Sequence, residues 1–227
     1  MKTLFLSLLL SLSTLVAVAQ VNPDIAVQNY KPFYIGINGL AIGYDLEYKN
    51  ESKGGNIQPY TSIYFGYNIT KRIRIQAGVW YGTDSRDFGS VYVESADKLI
   101  YYSDISKTKG VGVPITADLV LFYPFKKLQF YGTAMLTPMY STTLAEKSET
   151  RDGVKTITYR EKTSGINTYL TGGLGLKYPV SKRFDTYFNY YVISRNFNRG
   201  LRPRDEYPYP GSLALGFNYN FNLKREK

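Results

Sequence analysis

At 227 residues the chain has the length of one domain, and its 28 Lys and Arg against 18 Asp and Glu give a formal net charge of +10. It contains no Cys and no His, which excludes a disulfide framework and removes the usual ligands for zinc, copper or iron. The basic balance calls for a polyanion, and 23 Tyr with 12 Phe point to a phosphate-rich membrane surface rather than nucleic acid, which an exported chain seldom meets.

Export is expected from the first residues. Lys2, the apolar run Leu4 to Val18 and the small-x-small site Ala17-Val18-Ala19 compose a signal peptide over 1–19. The run is shorter than the roughly 20 residues of a spanning helix. A short segment, 20–32, follows, and no later stretch has 18 uninterrupted apolar residues. A chain of this kind that crosses a membrane must do so as a closed barrel, because lipid satisfies no backbone hydrogen bonds.

The rest of the chain alternates with period two, the signature of strands with one apolar face. The first strand, about 33–48, begins with Phe33, Ile35 and Ile37 in phase, then switches to Leu40, Ile42, Tyr44 and Leu46. A β-bulge near Gly39 would produce that slip. Next come Ile57, Ile63, Phe65 and Tyr67, then Ile73, Ile75, Val79 and Tyr81, then Val111, Val113, Ile115, Leu119 and Leu121. Leu128, Phe130, Ala134 and Leu136 follow, then Ile166, Leu170, Leu174, Leu176 and Tyr178, then Phe184, Phe188, Tyr190 and Val192. The last strand is the clearest: Leu213, Leu215, Phe217, Tyr219, Phe221 and Leu223 alternate without exception with Ala, Gly and Asn. Its span matches the roughly 9–11 residues of a tilted membrane strand. The expected fold is therefore all-β: an eight-stranded antiparallel up-and-down transmembrane β-barrel over 33–223, with a basic tail at 224–227.

The connectors alternate in length. Short ones fall at 70–72, 124–127 and 181–183, and long polar ones at about 49–56, 82–108, 141–160 and 197–210. Arg151-Asp152-Gly153 reads as a hairpin tip. The pairs 139–150 with 154–163 and 88–94 with 99–105 are thus expected to extend the barrel as ribbons, and an added strand pair stays open for the second. The three short connectors repeat an aromatic, a tight turn and two cations: Tyr67 with Lys71 and Arg72, Tyr123 with Lys126 and Lys127, Tyr178 with Lys182 and Arg183. Aromatic rings at the hydrocarbon edge followed by cations among phosphates suit a membrane interface.

The Phe217-to-Leu223 strand, the Gly66-to-Arg72 turn and Val113-Pro-Ile-Thr-Ala-Asp118 resemble the bacterial outer-membrane β-barrel domain family, the OmpA/OmpX-like group that includes PorT-like proteins. The resemblance implies an outer-membrane location, short turns and 20–32 on the periplasmic side, and long extracellular loops. Enzymes known on this scaffold use a His base, which this chain lacks, so no catalytic residue, metal or cofactor is expected. Asp84, Asp87, Glu94, Asp97 and Asp104 crowd the second long loop, but their spacing matches no calcium loop.

The inward phase carries Asp45, Glu47, Arg74, Asp118, Lys177, Asp185 and Arg195, a lumen charge network expected to pair, because unpaired buried charge is costly. The lumen is expected to be plugged. Leu174→Arg and Leu215→Arg should abolish insertion, and Asn218→Ser should be almost silent. The function expected is a structural or interaction role through the outer loops. The expected partners are outer-membrane lipids, lipopolysaccharide and envelope or secretion-complex proteins. A PorT-like component of a secretion machine and a small ion- or solute-conducting channel stay open.

Overall fold

The computed structural model describes residues 32–48, 55–95, 98–125, 127–199 and 212–221. Residues 1–31, which include the expected signal peptide, the tips of the first, second (with Asp97) and last long loops, Lys126 and residues 222–227, with the basic tail, lie outside them. Ten strands form: β1 Phe33–Ala41, β2 Tyr44–Leu46, β3 Gly55–Asn68, β4 Ile73–Ser95, β5 Lys98–Gly112, β6 Ile115–Phe125, β7 Leu128–Arg151, β8 Val154–Pro179, β9 Phe184–Asn196 and β10 Ser212–Phe221.

The ring nevertheless has eight members. β5 and β6 are one wall strand broken at Val113-Pro114, where the proline lacks an N–H. Val113 still donates to Pro138 O at 2.9 Å, and Pro114 O still accepts from Gly78 N at 2.9 Å. β2 continues β1. All neighbours are antiparallel, and β1 closes the ring on β10 from Phe33↔Phe221 to Ala41↔Leu213. The second long loop adds no member to the ring, since β4 and β5 simply run on as one hairpin to Ser95↔Lys98.

Outside, each wall strand presents an apolar band, as lipid requires: Ile73 to Tyr81 on β4, Phe130 to Tyr140 on β7, Ile166 to Tyr178 on β8, Leu213 to Phe217 on β10. Inside, small and large residues interlock. Tyr34 faces Gly66, Tyr64 faces Gly36, Trp80 faces Gly112, Tyr131 faces Gly175 and Tyr187 faces Gly216, each pair directly across two strands. A Cβ at Gly175 would stand 2.3 Å from the Tyr131 ring, so the glycine is the slot into which that ring lies. Gly175→Val is expected to cost about 1–3 kcal/mol by overpacking, read as a lower urea midpoint, while Gly132→Ala, whose Cβ meets nothing within 4 Å, should be neutral.

Four readings of the sequence need correction. The slip near Gly39 does not occur: Tyr34, Asn38, Ile42, Tyr44, Leu46 and Tyr48 are all buried on one even-numbered face. After Ala41 the β10 pairing ends and the chain leans into the lumen, so its apolar face meets other apolar side chains instead of lipid. The register slip lies in the next strand, in β3 between Pro59 and Thr61 where it pairs β4, and it turns Ile57 inward. A second irregularity, where Gly172↔Ile193 is followed by Gly173↔Tyr191, leaves Val192 as the extra residue in β9. A third, between Val120 and Phe122, leaves Leu121 without a partner on β7.

Candidate functional site

The interior is layered. At the short-turn end sits a polar layer. Arg74 and Asp118 stand directly opposite on β4 and β6, with Arg74 Nε donating to Asp118 Oδ2 at 2.7 Å. The guanidinium lies 4.4 Å from the centre of the Tyr131 ring, a cation–π arrangement. Across the lumen Lys177 Nζ reaches Asp185 Oδ2 at 2.6 Å, and Asn220 Nδ2 donates to the same oxygen at 2.9 Å. Tyrosines knit the walls together: Tyr64 OH donates to Asn218 Oδ1 at 2.7 Å, Asn38 Nδ2 donates to Tyr187 OH at 2.9 Å, and Tyr34 OH donates to Gln76 Oε1 at 3.1 Å. Both ion pairs are buried, so each charge is balanced where water cannot balance it.

Above this lies an apolar layer, in which period-two reading had assigned Ile42, Tyr44, Leu46 and Ile57 to the outer apolar face. Tyr44 stacks on Trp80 at 5.8 Å and packs on Tyr169 at 4.8 Å, joining β4 to β8 across the barrel. Ile42, Leu46, Ile57, Met135, Met139 and Tyr191 complete the cluster. Polar bonds hold the inturned chain in place. Glu47 N donates to Asn167 Oδ1 at 3.0 Å, Tyr169 OH and Asn196 Nδ2 both donate to Asp45 O, and Tyr48 OH bonds Thr143 Oγ1 at 2.8 Å.

The seven inward charges expected from sequence therefore separate. Arg74, Asp118, Lys177 and Asp185 are brought together as two pairs. Asp45 and Glu47 are not among them: they alternate with buried Tyr44, Leu46 and Tyr48 and face away from that cluster. Arg195 is exposed, because the extra residue at Val192 flips the phase and sets it opposite outward-facing Leu170. Pro59 within a strand run, and consecutive Val192 and Ile193, were the available signals for these shifts. The rings of the tyrosine lattice, and Trp80, gave no signal beyond their places on the inward phase of their strands.

At the short-turn rim Thr70 Oγ1 accepts from Arg72 N and Ile73 N at 3.1 and 2.9 Å, and Ser181 Oγ accepts from Arg183 N and Phe184 N at 3.2 and 3.1 Å. Two of the three repeated turns thus share one hydroxyl-capped geometry, while the 124–127 turn has no hydroxyl to supply it. Lys71, Lys127, Lys182 and Arg183 are exposed beneath outward aromatic groups such as Phe33 with Tyr67 and Phe184 with Tyr219, 5.1 and 5.2 Å apart.

At the other end β7 and β8 run to an Asp152-Gly153 turn, both residues at positive φ as a two-residue hairpin requires. β4, β5, β7 and β8 form a four-stranded wall beyond the apolar band. About a dozen residues of β7 lie past Tyr140, roughly 40 Å along the strand. In this wall Asp84 pairs with Arg86, Asp87 accepts from Ser103 Oγ, and Asp104 pairs with Lys147, so these acids do not converge. Among the described residues no group of three or more acids gathers as a metal site.

Solved structures similar to the chain include Neisserial surface protein A (15% identity, TM-score 0.36, covering 83% of this chain and 97% of that one). Others are Ail, the attachment invasion locus protein of Yersinia pestis (14%, 0.32, 85% and 100%), and Acinetobacter baumannii CarO2 (11%, 0.34, 84% and 99%). No curated protein matches. Residues 5–221 match the family described as outer membrane protein beta-barrel domain. The lipid-facing band, the closed eight-member ring and that match over nearly the whole chain lead to one assignment: this protein belongs to the outer-membrane β-barrel domain family.

Proposed function

We propose that the protein, exported by its N-terminal signal, is a non-conducting, non-enzymatic outer-membrane barrel that works through its extracellular wall. The observation that carries this reading is the division of labour along the strands. Below, the lumen is filled twice over, by the Tyr44–Trp80–Tyr169 layer and by the two ion pairs. Above, β4, β5, β7 and β8 continue far past what spanning needs. Narrow barrels of eight strands are filled by side chains, and length beyond the membrane has a use only outside it. A chain without His also lacks the usual base for hydrolysis on such a scaffold.

Planar-bilayer recording tests the closed lumen. The wild type and Arg74→Ala are both expected to give no stepwise current. Steady discrete conductance by the wild type would replace this reading with a small channel. A protein that co-purifies at fixed stoichiometry in mild detergent would favour a subunit of an envelope or secretion assembly.

A further inference from the structure

The outer face of the wall changes character abruptly where the apolar band ends. On β5 the outward residues read Val111, then Lys109 and Lys107; on β8 they read Ile166, then Ser164 and Lys162. β7 between them reads Tyr140, Thr142 and Leu144, and β4 alongside reads Tyr81, Thr83 and Ser85. The register sets these side by side: Thr83↔Lys109↔Thr142↔Ser164 in one row, Ser85↔Lys107↔Leu144↔Lys162 in the next. Lys107 and Lys162 therefore flank Leu144, about 10 Å apart at ordinary strand spacing.

The three lysines are exposed, and none has an ionic partner among the described residues. The acids of the following row do not neutralise them. Glu146 is engaged by Lys155 and Arg160 at 3.3 and 3.8 Å, and Asp87 accepts from Ser103 Oγ. Three free ammonium groups with four hydroxyls around them, seated directly on the hydrocarbon boundary, form a surface that complements phosphate held at that depth. On the side of the long hairpins the boundary belongs to the outer leaflet.

We propose that Lys107, Lys109 and Lys162, with Thr83, Thr142 and Ser164, bind the phosphate groups of an outer-leaflet glycolipid. This rests on the membrane orientation used above and not on the closed lumen. The Val111–Tyr140–Ile166 row lies against its acyl chains while the lysines beyond it meet its phosphorylated sugar. A free phosphate would gain nothing from that apolar row, which is why a lipid is the ligand that fits.

The test titrates the detergent-solubilised protein with diphosphorylated lipid A, with its dephosphorylated form and with inorganic phosphate, reading retained glycolipid by native mass spectrometry. The wild type should retain the diphosphorylated lipid preferentially. Each Lys→Gln change should weaken retention about fivefold and the triple Lys107→Gln/Lys109→Gln/Lys162→Gln change about a hundredfold. The triple Lys→Arg variant should retain it, which controls for folding, as does the faster migration of unboiled protein. Equal retention of both lipid forms by the wild type, or undiminished retention by the Gln variant, overturns the proposal. Displacement by millimolar inorganic phosphate overturns the lipid as source. Conductance through the lumen would refute the proposed function and leave this result untouched.

Discussion

Asp118→Ala should lower the unfolding free energy by about 3–5 kcal/mol, because it strands the Arg74 guanidinium in a site closed to water. Arg74 is 6% exposed and Asp118 5%, so solvent cannot take over from the lost partner. The Tyr131 face, 4.4 Å away, offsets only part of the deficit. The double change Arg74→Met/Asp118→Leu should recover most of the loss, since replacing a whole buried pair by apolar groups of like volume is often near neutral. Urea titration followed by the fluorescence of Trp80, the single tryptophan and itself in the lumen, gives the measurement. A single variant as stable as the wild type would mean that water reaches the pair and that the layer is no plug.

Leu174→Arg should prevent insertion. Leu174 points outward near the middle of the β8 band, across from Gly132 and Tyr190, where a cation costs on the order of 2–4 kcal/mol. The variant should stay at its boiled position on an unboiled gel and be recovered as aggregate. Its counterpart inside is instructive. Alternation alone makes Asn218→Ser almost silent, but Asn218 Oδ1 is the acceptor for Tyr64 OH at 2.7 Å, deep in the lumen. Its loss is expected to cost about 1 kcal/mol, a smaller midpoint shift with insertion intact. Full insertion of Leu174→Arg would show that this face does not meet lipid.

The membrane barrel was legible strand by strand, because period two is a property of each strand and needs no partner to be read. Leu213 to Phe221 or Ile73 to Tyr81 declares its outer face residue by residue, and the short and long connectors declare which end is which. Asp152-Gly153 announced its turn through backbone chemistry alone. What lies inside was decided by the tertiary structure. An apolar face says that a side chain avoids water, not whether lipid or other side chains receive it, so Tyr44 and Leu46 read as lipid-facing until the chain is seen to lean inward. One extra residue reverses every side chain beyond it, and the bulges near Thr61 and at Val192 moved Ile57 into the lumen and Arg195 out of it. That Arg74 and Asp118 pair was legible as two inward charges on neighbouring strands, whereas the separation of Arg195 from Lys177 and Asp185, and the alignment of four strands into the lysine surface, needed the register. Register is fixed only when the ring closes, and no single strand carries it.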